Sequence, residues 1–194
     1  PAISQLIEDN KATIEQVLAN PAAATWESVI APIELKERLL DNAWSVFSHL
    51  NGVKDSPELR EAYGKALGMI TEFSTWVGQH QGLFKAYKAI SERDDFSALS
   101  QPQQEAVRKA LLDFRLSGID LPEAQQKEFA ELANELAQLQ QKFSEQVLDA
   151  TQNWVKLITD EADLAGLPES AKATLAQYAK QKFKQAKYKK PERL

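Results

Sequence analysis

The stretch LPEAQQKEFAELANELAQLQQKFSEQVLDATQNWVKLIT at residues 121–159 decides the fold class of this 194-residue chain. Its apolar residues recur at steps of three and four, which is the repeat of one face of an α-helix. At 1.5 Å per residue, a helix over this stretch would span roughly 58 Å. We therefore predict one very long helix near 121–159 that carries a coiled-coil-like seam with one inserted turn near Phe143. The seam consists of Phe129, Leu132, Leu136, Leu139, Phe143, Val147, Ala150, Trp154 and Leu157.

Helical spacing of apolar residues extends over most of the remaining sequence, and alternating strand patterns are missing. Prolines and capping side chains mark where the helices begin and end. The sequence therefore predicts an all-α, mostly antiparallel bundle of about six or seven helices. The predicted boundaries are a stop at Pro21, a cap at Thr25, a kink or break near Ala31 before Pro32, a turn at Asn51-Gly52, a start at Ser56-Pro57, capping boxes at Ser100/Gln103 and Asp120/Glu123, and a last start near Glu169.

The helix that opens at Pro57 is predicted to run to about Ser91, and it contains two pairs of glycines spaced four apart. Gly64 and Gly68 form one pair, and Gly78 and Gly82 form the other. Glycine on one helix face allows a neighbouring helix to approach closely. Alternatively the glycines mark a weak or broken point, since each interior glycine costs a helix about 1 kcal/mol relative to alanine. Both interpretations stay open at the level of sequence.

Composition excludes several kinds of chemistry. The chain has no Cys, so it has no disulfide framework, thiolate zinc site or cysteine nucleophile. No apolar run is long enough to span a membrane, and no basic start followed by an apolar stretch indicates a secretory signal. We therefore expect a cytoplasmic protein with no membrane partner.

Histidine is scarce, with 2 residues in the chain. His49 and His80 are too far apart for the H-E-x-x-H pattern, and neither is preceded by Glu at the spacing of dinuclear metal sites in helical bundles. His80 falls on an apolar stripe, which favours a partly buried side chain with a hydrogen-bond partner. His49 lies near a predicted helix end, which favours a capping role. We predict no catalytic, cofactor-binding or metal-binding residue in this chain.

The remaining polar and aromatic side chains fit structural roles better than chemical ones. Glu128, Glu131, Glu135 and Glu145 fall off the long seam and are predicted to form a solvated face. Neither a phosphate loop nor a dinucleotide fingerprint occurs. The four tryptophans lie on or beside helical stripes, so we expect core packing rather than ligand stacking. They are Trp26, Trp44, Trp76 and Trp154.

Charge is unevenly distributed along the chain, whose net charge is −5. Residues 1–179 carry a net −11, whereas residues 180–194 carry a net +6. An acidic body does not attract phosphate backbones, so we expect no nucleic-acid partner. The basic end by itself permits contact with a membrane or a nucleic acid, but its short length and terminal position favour a solvated, frayed or non-native tail.

Several stretches resemble the N-terminal helical region of bacterial members of the thimet oligopeptidase family of zinc metallopeptidases. The resemblance covers about residues 1–176 and leaves a basic tail at 177–194 that departs from the family. The stretches occur in the family's order and at matching spacing. They are TWESVIAP at 25–32, SHLNGVKDSPELREAY at 48–63, STWVGQHQGLFKAYKAI at 74–90, ALLDFRLSGIDLP at 110–122 and QVLDATQNWVKLITDEADLAGLPESA at 146–171.

This resemblance implies a helical domain that forms one wall of a narrow channel, which admits short peptides and excludes folded proteins. In the family, zinc is held by H-E-x-x-H and a downstream Glu in a C-terminal catalytic region. Neither the motif nor that region is present here. The chain alone should therefore be inactive, with the catalytic region as its partner, short peptides as substrates of the whole enzyme, and no cofactor of its own.

Two other functions remain open at this stage. A stand-alone helical interaction module would use the Phe129–Leu157 seam, or a face normally covered by the catalytic part, to bind a partner or to self-associate. An independent enzyme with an unrecognised carboxylate site is the third hypothesis, which the lack of a nucleophile motif disfavours.

Overall fold

The computed structural model describes residues 2–19 and 24–185, with side chains described as far as residue 181. Helices and their connections account for these residues, and no strand occurs among them. The all-α prediction is therefore confirmed. No helix in the described ranges is long and apolar enough to cross a membrane. The α-helices are α1 Ala2–Leu18, α2 Ala31–Val53, α3 Pro57–Gly78, α4 Gln81–Ser91, α5 Gln101–Leu116, α6 Glu123–Asn153 and α7 Glu169–Gln185.

A short π-helix, Trp26–Ile30, leads into α2. Thr25 caps it through a reciprocal box, in which the Ser28 N–H donates to Thr25 Oγ1 at 3.1 Å and the Thr25 N–H donates to Ser28 Oγ at 3.0 Å. The wider winding ends at Ile30, and α2 begins at Ala31, one residue before Pro32, which has no N–H to contribute. The predicted cap is confirmed. A break near Ala31 does not occur, because the chain stays helical from Trp26 to Val53 and Pro32 lies in the first turn of α2, where its missing N–H costs little. The predicted stop at Pro21 lies outside the described residues.

The predicted continuous helix from Pro57 to Ser91 is wrong, because the chain breaks at Gln79 and His80. The start is as predicted, since Ser56 Oγ accepts the Leu59 N–H at 3.2 Å. After the break, α4 begins at Gln81 with His80 as its cap. The apolar residues keep their helical spacing across the break, so this spacing alone does not reveal it.

The long helix α6 is shorter than predicted at both ends and closes at Asn153. Its 31 residues span about 46 Å. Residues 154–160 have no regular secondary structure. The sequence TQNWVKLIT is rich in β-branched and aromatic residues, which lower helix propensity and explain the early end. The helix before it behaves as predicted, because Ser100 and Gln103 form the capping box of α5.

Three glutamine side chains tie the α3–α4 break and the start of α6 to the end of α5. Gln79 donates to the Ser117 carbonyl at 3.1 Å, and Gln81 donates to the Ile119 carbonyl at 2.9 Å. Gln126 of α6 donates to the Ile119 carbonyl at 3.1 Å and to the Gly118 carbonyl at 3.2 Å. We call these three side chains the glutamine cluster. They donate to carbonyls of the turn that follows α5, including that of the buried Ile119.

The apolar core lies among α1, the π-helix, α2, α4 and α5, and a smaller cluster joins α1, α2 and α3. Buried Asn10 links α1 to α2, because its Nδ2 donates to the Leu6 carbonyl at 2.8 Å and to the Lys36 carbonyl at 3.3 Å. The larger cluster is built on Ile14, Val29, Ile30, Ile33, Leu83, Ile90, Val107, Phe114 and Ile119, and the smaller one on Ile7, Leu40 and Phe73.

The chain divides into two compact units, residues 1–145 and 146–194. In the second unit, the end of α6 is followed by the irregular residues 154–160, a 3-10 turn Glu161–Leu164 and α7. The Asp160 side chain accepts the Ala162 N–H at 2.9 Å and so opens the 3-10 turn. The last helix begins at Glu169 as predicted. The sequence-based division at residue 176 rests on the family resemblance and stays a prediction.

The glycines offer a matched test of helix packing. A Cβ on Gly78 would lie 2.5 Å from Ser117 Cβ, so Gly78→Ala should force α3 and α5 apart and destabilise the chain by about 1–3 kcal/mol. Gly68 has nothing within 4 Å of the same position, so Gly68→Ala should instead stabilise it by about 0.5–1 kcal/mol. Urea unfolding measures both, and equal effects of the two substitutions would contradict this account.

Candidate functional site

His80 is a helix cap held by three contacts. Its Nδ1 accepts the Leu83 N–H at 3.1 Å, and its Nε2 lies 3.3 Å from Glu15 Oε1. The ring also packs edge-on against Trp76, with centroids 4.8 Å apart. The side chain is thus mostly buried with hydrogen-bond partners, as the sequence indicated, although it lies in a helix break rather than on a continuous stripe.

His49 lies on the exposed surface of α2, near the C-terminal end. The helix ends at Val53, two residues after the predicted turn residue Asn51. There the Leu50 carbonyl accepts the Lys54 backbone N–H at 2.9 Å, so this end of the helix has a backbone cap. The two histidines are therefore a surface residue and a structural cap.

The zinc that the family resemblance implies does not fit the residues described here. Among them, no three His, Cys, Asp or Glu side chains come together in a group that could hold a metal ion. His80 uses both ring nitrogens for the contacts of its cap.

The carboxylates of α6 divide into two environments. Glu128, Glu131 and Glu135 are exposed, in agreement with the predicted solvated face. Glu145 is half-buried and accepts a hydrogen bond from Gln141 at 2.8 Å. Gln141 is itself close to α3, because its amide nitrogen lies 3.5 Å from the Arg60 carbonyl. Glu145 is thus part of a structural contact.

A groove of about 350 Å³ between α2, α3, α4 and α5 brings together Glu37 and Tyr87, which no pattern in the sequence links. Burial raises the pKa of Glu37, and the nearby charges of Asp41 and Glu34 raise it further. Burial also raises the pKa of Tyr87, with Glu37 and Glu34 adding to the effect. Both groups resist ionisation, which suits them to hydrogen bonding. The one pattern that could have indicated this environment is the spacing of Glu34, Glu37 and Asp41, which places three carboxylates on one face of α2.

In its central part, the apolar seam of α6 faces solvent rather than the core. Leu132, Leu136, Leu139 and Phe143 are 58%, 56%, 55% and 67% exposed. The opposite face is half-buried and consists of small or polar side chains. These are Ala130, Ala133, Ala137 and Gln141.

Three of the four tryptophans pack against other side chains, as predicted. Trp26 and Trp76 pack against the core, and Trp44 stacks on Tyr63 with centroids 5.0 Å apart. Trp154 is an exception, because it is 72% exposed at the start of the irregular segment. It lines an apolar hollow of about 340 Å³ that is bounded by α7 within the second unit.

Fold and surface define an all-α domain that presents a long apolar helix face. A model of the family described as Neurolysin/Thimet oligopeptidase, N-terminal domain, matches residues 3–127. Oligopeptidase A of Escherichia coli (strain K12) is 46% identical over 182 residues, covering 94% of this chain and 27% of that protein. Oligopeptidase A of Haemophilus influenzae is 49% identical over 182 residues, with the same coverages of 94% and 27%.

A plant relative extends the similarity. Probable cytosolic oligopeptidase A of Arabidopsis thaliana is 37% identical over 179 residues, covering 92% of this chain and 25% of that protein. The chain belongs to the neurolysin/thimet oligopeptidase family, in which it matches the N-terminal domain. It spans about a quarter of the length of these curated relatives.

The cap role of His80 can be tested by substitution. His80→Ala should lower the free energy of unfolding by about 1 kcal/mol, because the Leu83 N–H loses its acceptor. His80→Asn should be less destabilising, since Asn is a good helix cap. Urea unfolding of the three proteins provides the measurement. An Asn variant no more stable than the Ala variant would argue that the cap is unimportant.

Glu37 should make stability depend on pH in a defined direction. The folded state raises its pKa above the ordinary value of 4.5, so it binds the proton more tightly than the unfolded chain does. Ionised Glu37 therefore costs stability above pH 4.5, and the cost disappears as the pH falls below that value. Glu37→Gln should be more stable than the parent at pH 7 and equal to it in acid.

Unfolding midpoints at several pH values measure this difference. Glu131→Gln on the exposed face of α6 is the matched control for removing one negative charge. A Glu37→Gln effect that grows in acid, or that equals the control at every pH, would contradict the assignment.

Proposed function

We propose that this chain is the non-catalytic N-terminal domain of a zinc metalloendopeptidase that cleaves short peptides. In this role it forms one wall of the substrate channel and restricts access by size. The supporting observation is the match of residues 3–127 to the family's N-terminal domain. The described part of the chain also contains no group of side chains that could hold a metal ion. The chemistry of the whole enzyme then belongs to the region outside this chain.

A channel wall has to be rigid, and the packing of the first unit supports that role. Ile14, Leu83 and Val107 are almost completely buried in one core formed from several helices. Close-packed interiors resist deformation, so such a wall keeps its shape when a substrate presses against it. An extended peptide would pass between rigid walls, whereas a folded protein would be too wide.

The partners follow from the same proposal. The C-terminal catalytic region of the same enzyme holds the zinc, and short peptides are the substrates of the two parts together. The bacterial relatives carry the name Oligopeptidase A, and that name supports short peptides as the substrates proposed here. A cytoplasmic location and a boundary of the domain near residue 176 belong to the proposal as well.

One observation favours a second candidate function. The exposed seam of α6 is also what a stand-alone interaction module would use to bind a partner or a second copy. Light scattering over a concentration series tests self-association, because a monomer at all concentrations argues against a second copy.

Activity measurements test the main proposal. The purified chain with added zinc should not cleave a quenched fluorescent peptide. A chimera in which this chain replaces the matching N-terminal quarter of Escherichia coli Oligopeptidase A should cleave that peptide, because the chain supplies the same domain. Cleavage by the chain alone that a chelator abolishes would overturn the proposal, and so would an inactive chimera.

Size selection needs a second substrate. The chimera should cleave a peptide of about ten residues and leave a folded protein with the same sequence in an exposed loop intact. If both substrates are cleaved at similar rates, the chain does not restrict access.

A further inference from the structure

The outward-facing part of α6 presents four large apolar side chains in a row. Leu132, Leu136, Leu139 and Phe143, which we call the α6 seam, are each more than half exposed. They follow one another at steps of four, three and four along the helix. Apolar side chains scattered singly on a surface are ordinary, whereas a continuous row marks a contact surface.

The orientation of α6 is fixed by contacts on its other side. Gln126 is anchored to the carbonyls of Gly118 and Ile119, and Gln141 lies against α3 with its side-chain oxygen 3.2 Å from the Cβ position of Gly64. These two residues and the α6 seam lie on roughly opposite sides of a helix with 3.6 residues per turn. The α6 seam therefore cannot turn inward without breaking both contacts.

Charge runs along one edge of the α6 seam. Glu128, Glu131 and Glu135 are exposed and lie beside the apolar row in the N-terminal half of the helix. A partner that covers this row would gain by placing basic side chains against these carboxylates. The steps of three and four match the spacing that another helix fills with its own side chains.

We infer that the α6 seam is the docking surface for an amphipathic helix, with an apolar stripe and a basic flank, in the part of the enzyme outside this chain. The inference rests on the proposed function. The choice of occupant follows from length, because the matched region is 27% of each bacterial relative and most of such a protein lies beyond it. A buried seam also explains why α6 turns leucines outward and alanines inward.

Cysteine labelling tests the inference directly, because the chain has no Cys of its own. Leu136→Cys and Leu139→Cys place single thiols on the α6 seam, and Gln138→Cys on the exposed charged side of the same helix is the matched control. Each variant is prepared in the isolated chain and in the chimera described above. Labelling by a maleimide is followed at the substituted position by peptide mass spectrometry.

Both seam thiols should react quickly in the isolated chain and at least about tenfold more slowly in the chimera, because burial excludes the reagent. The Gln138→Cys thiol should react at similar rates in both. Equal seam labelling in the two proteins would overturn the inference. Slow seam labelling in the isolated chain that becomes faster on dilution would also overturn it, because a second copy would then be the occupant.

Peptide cleavage separates this inference from the proposed function. An active chimera with unprotected seam thiols keeps the proposed function and rejects the docking surface. An inactive parent chimera rejects both. Circular dichroism of the isolated variants checks that the substitutions leave the helices intact, and agreement between Leu136→Cys and Leu139→Cys guards against a local effect of either one.

Discussion

The hydrogen bonds of the glutamine cluster hold the α3–α4 break and the start of α6 against the end of α5. Gln79, Gln81 and Gln126 donate to carbonyls at the end of α5. Ile119 is buried there, and its carbonyl accepts hydrogen bonds from Gln81 and Gln126 in place of the water that burial excludes. One turn thus joins the α3–α4 break, the end of α5 and the start of α6. Because Gln126 holds α6 by one side, the cluster also determines which face of α6 points outward.

Short-range sequence patterns, above all helix caps, predicted much of the fold. Thr25, Ser56 and Ser100 cap helices where their sequences indicated, because a cap depends on a few neighbouring residues. Pro32 changes the winding of the helix rather than breaking it, because the π-helix before it leads directly into α2. The glycines Gly78 and Gly82 left the break at Gln79 and His80 open as one alternative. The apolar repeat could not decide it, since it continues through the break, and hydrogen bonds made there reach residues far along the chain.

The surface was harder to predict than the fold. A row of leucines on a helix ordinarily faces the core, and nothing local shows that Ala130 and Ala137 take that side of α6 instead. The half-buried environment of Glu37 requires side chains from three other helices, so it too depends on tertiary structure. Family resemblance supplied what residue patterns did not, namely the kind of protein to which these helices belong.

The irregular segment after α6 has a consequence for the handling of the protein. Proteases bind their substrates as extended backbone, and a lysine inside a stable helix has to unwind before it can be cut. Lys156 lies in residues 154–160, which are exposed throughout and free of regular secondary structure, whereas Lys127 and Lys142 lie within α6. A chain from a family of peptidases therefore itself contains an accessible site for trypsin, and cleavage after Lys156 would separate the whole of α6 from α7.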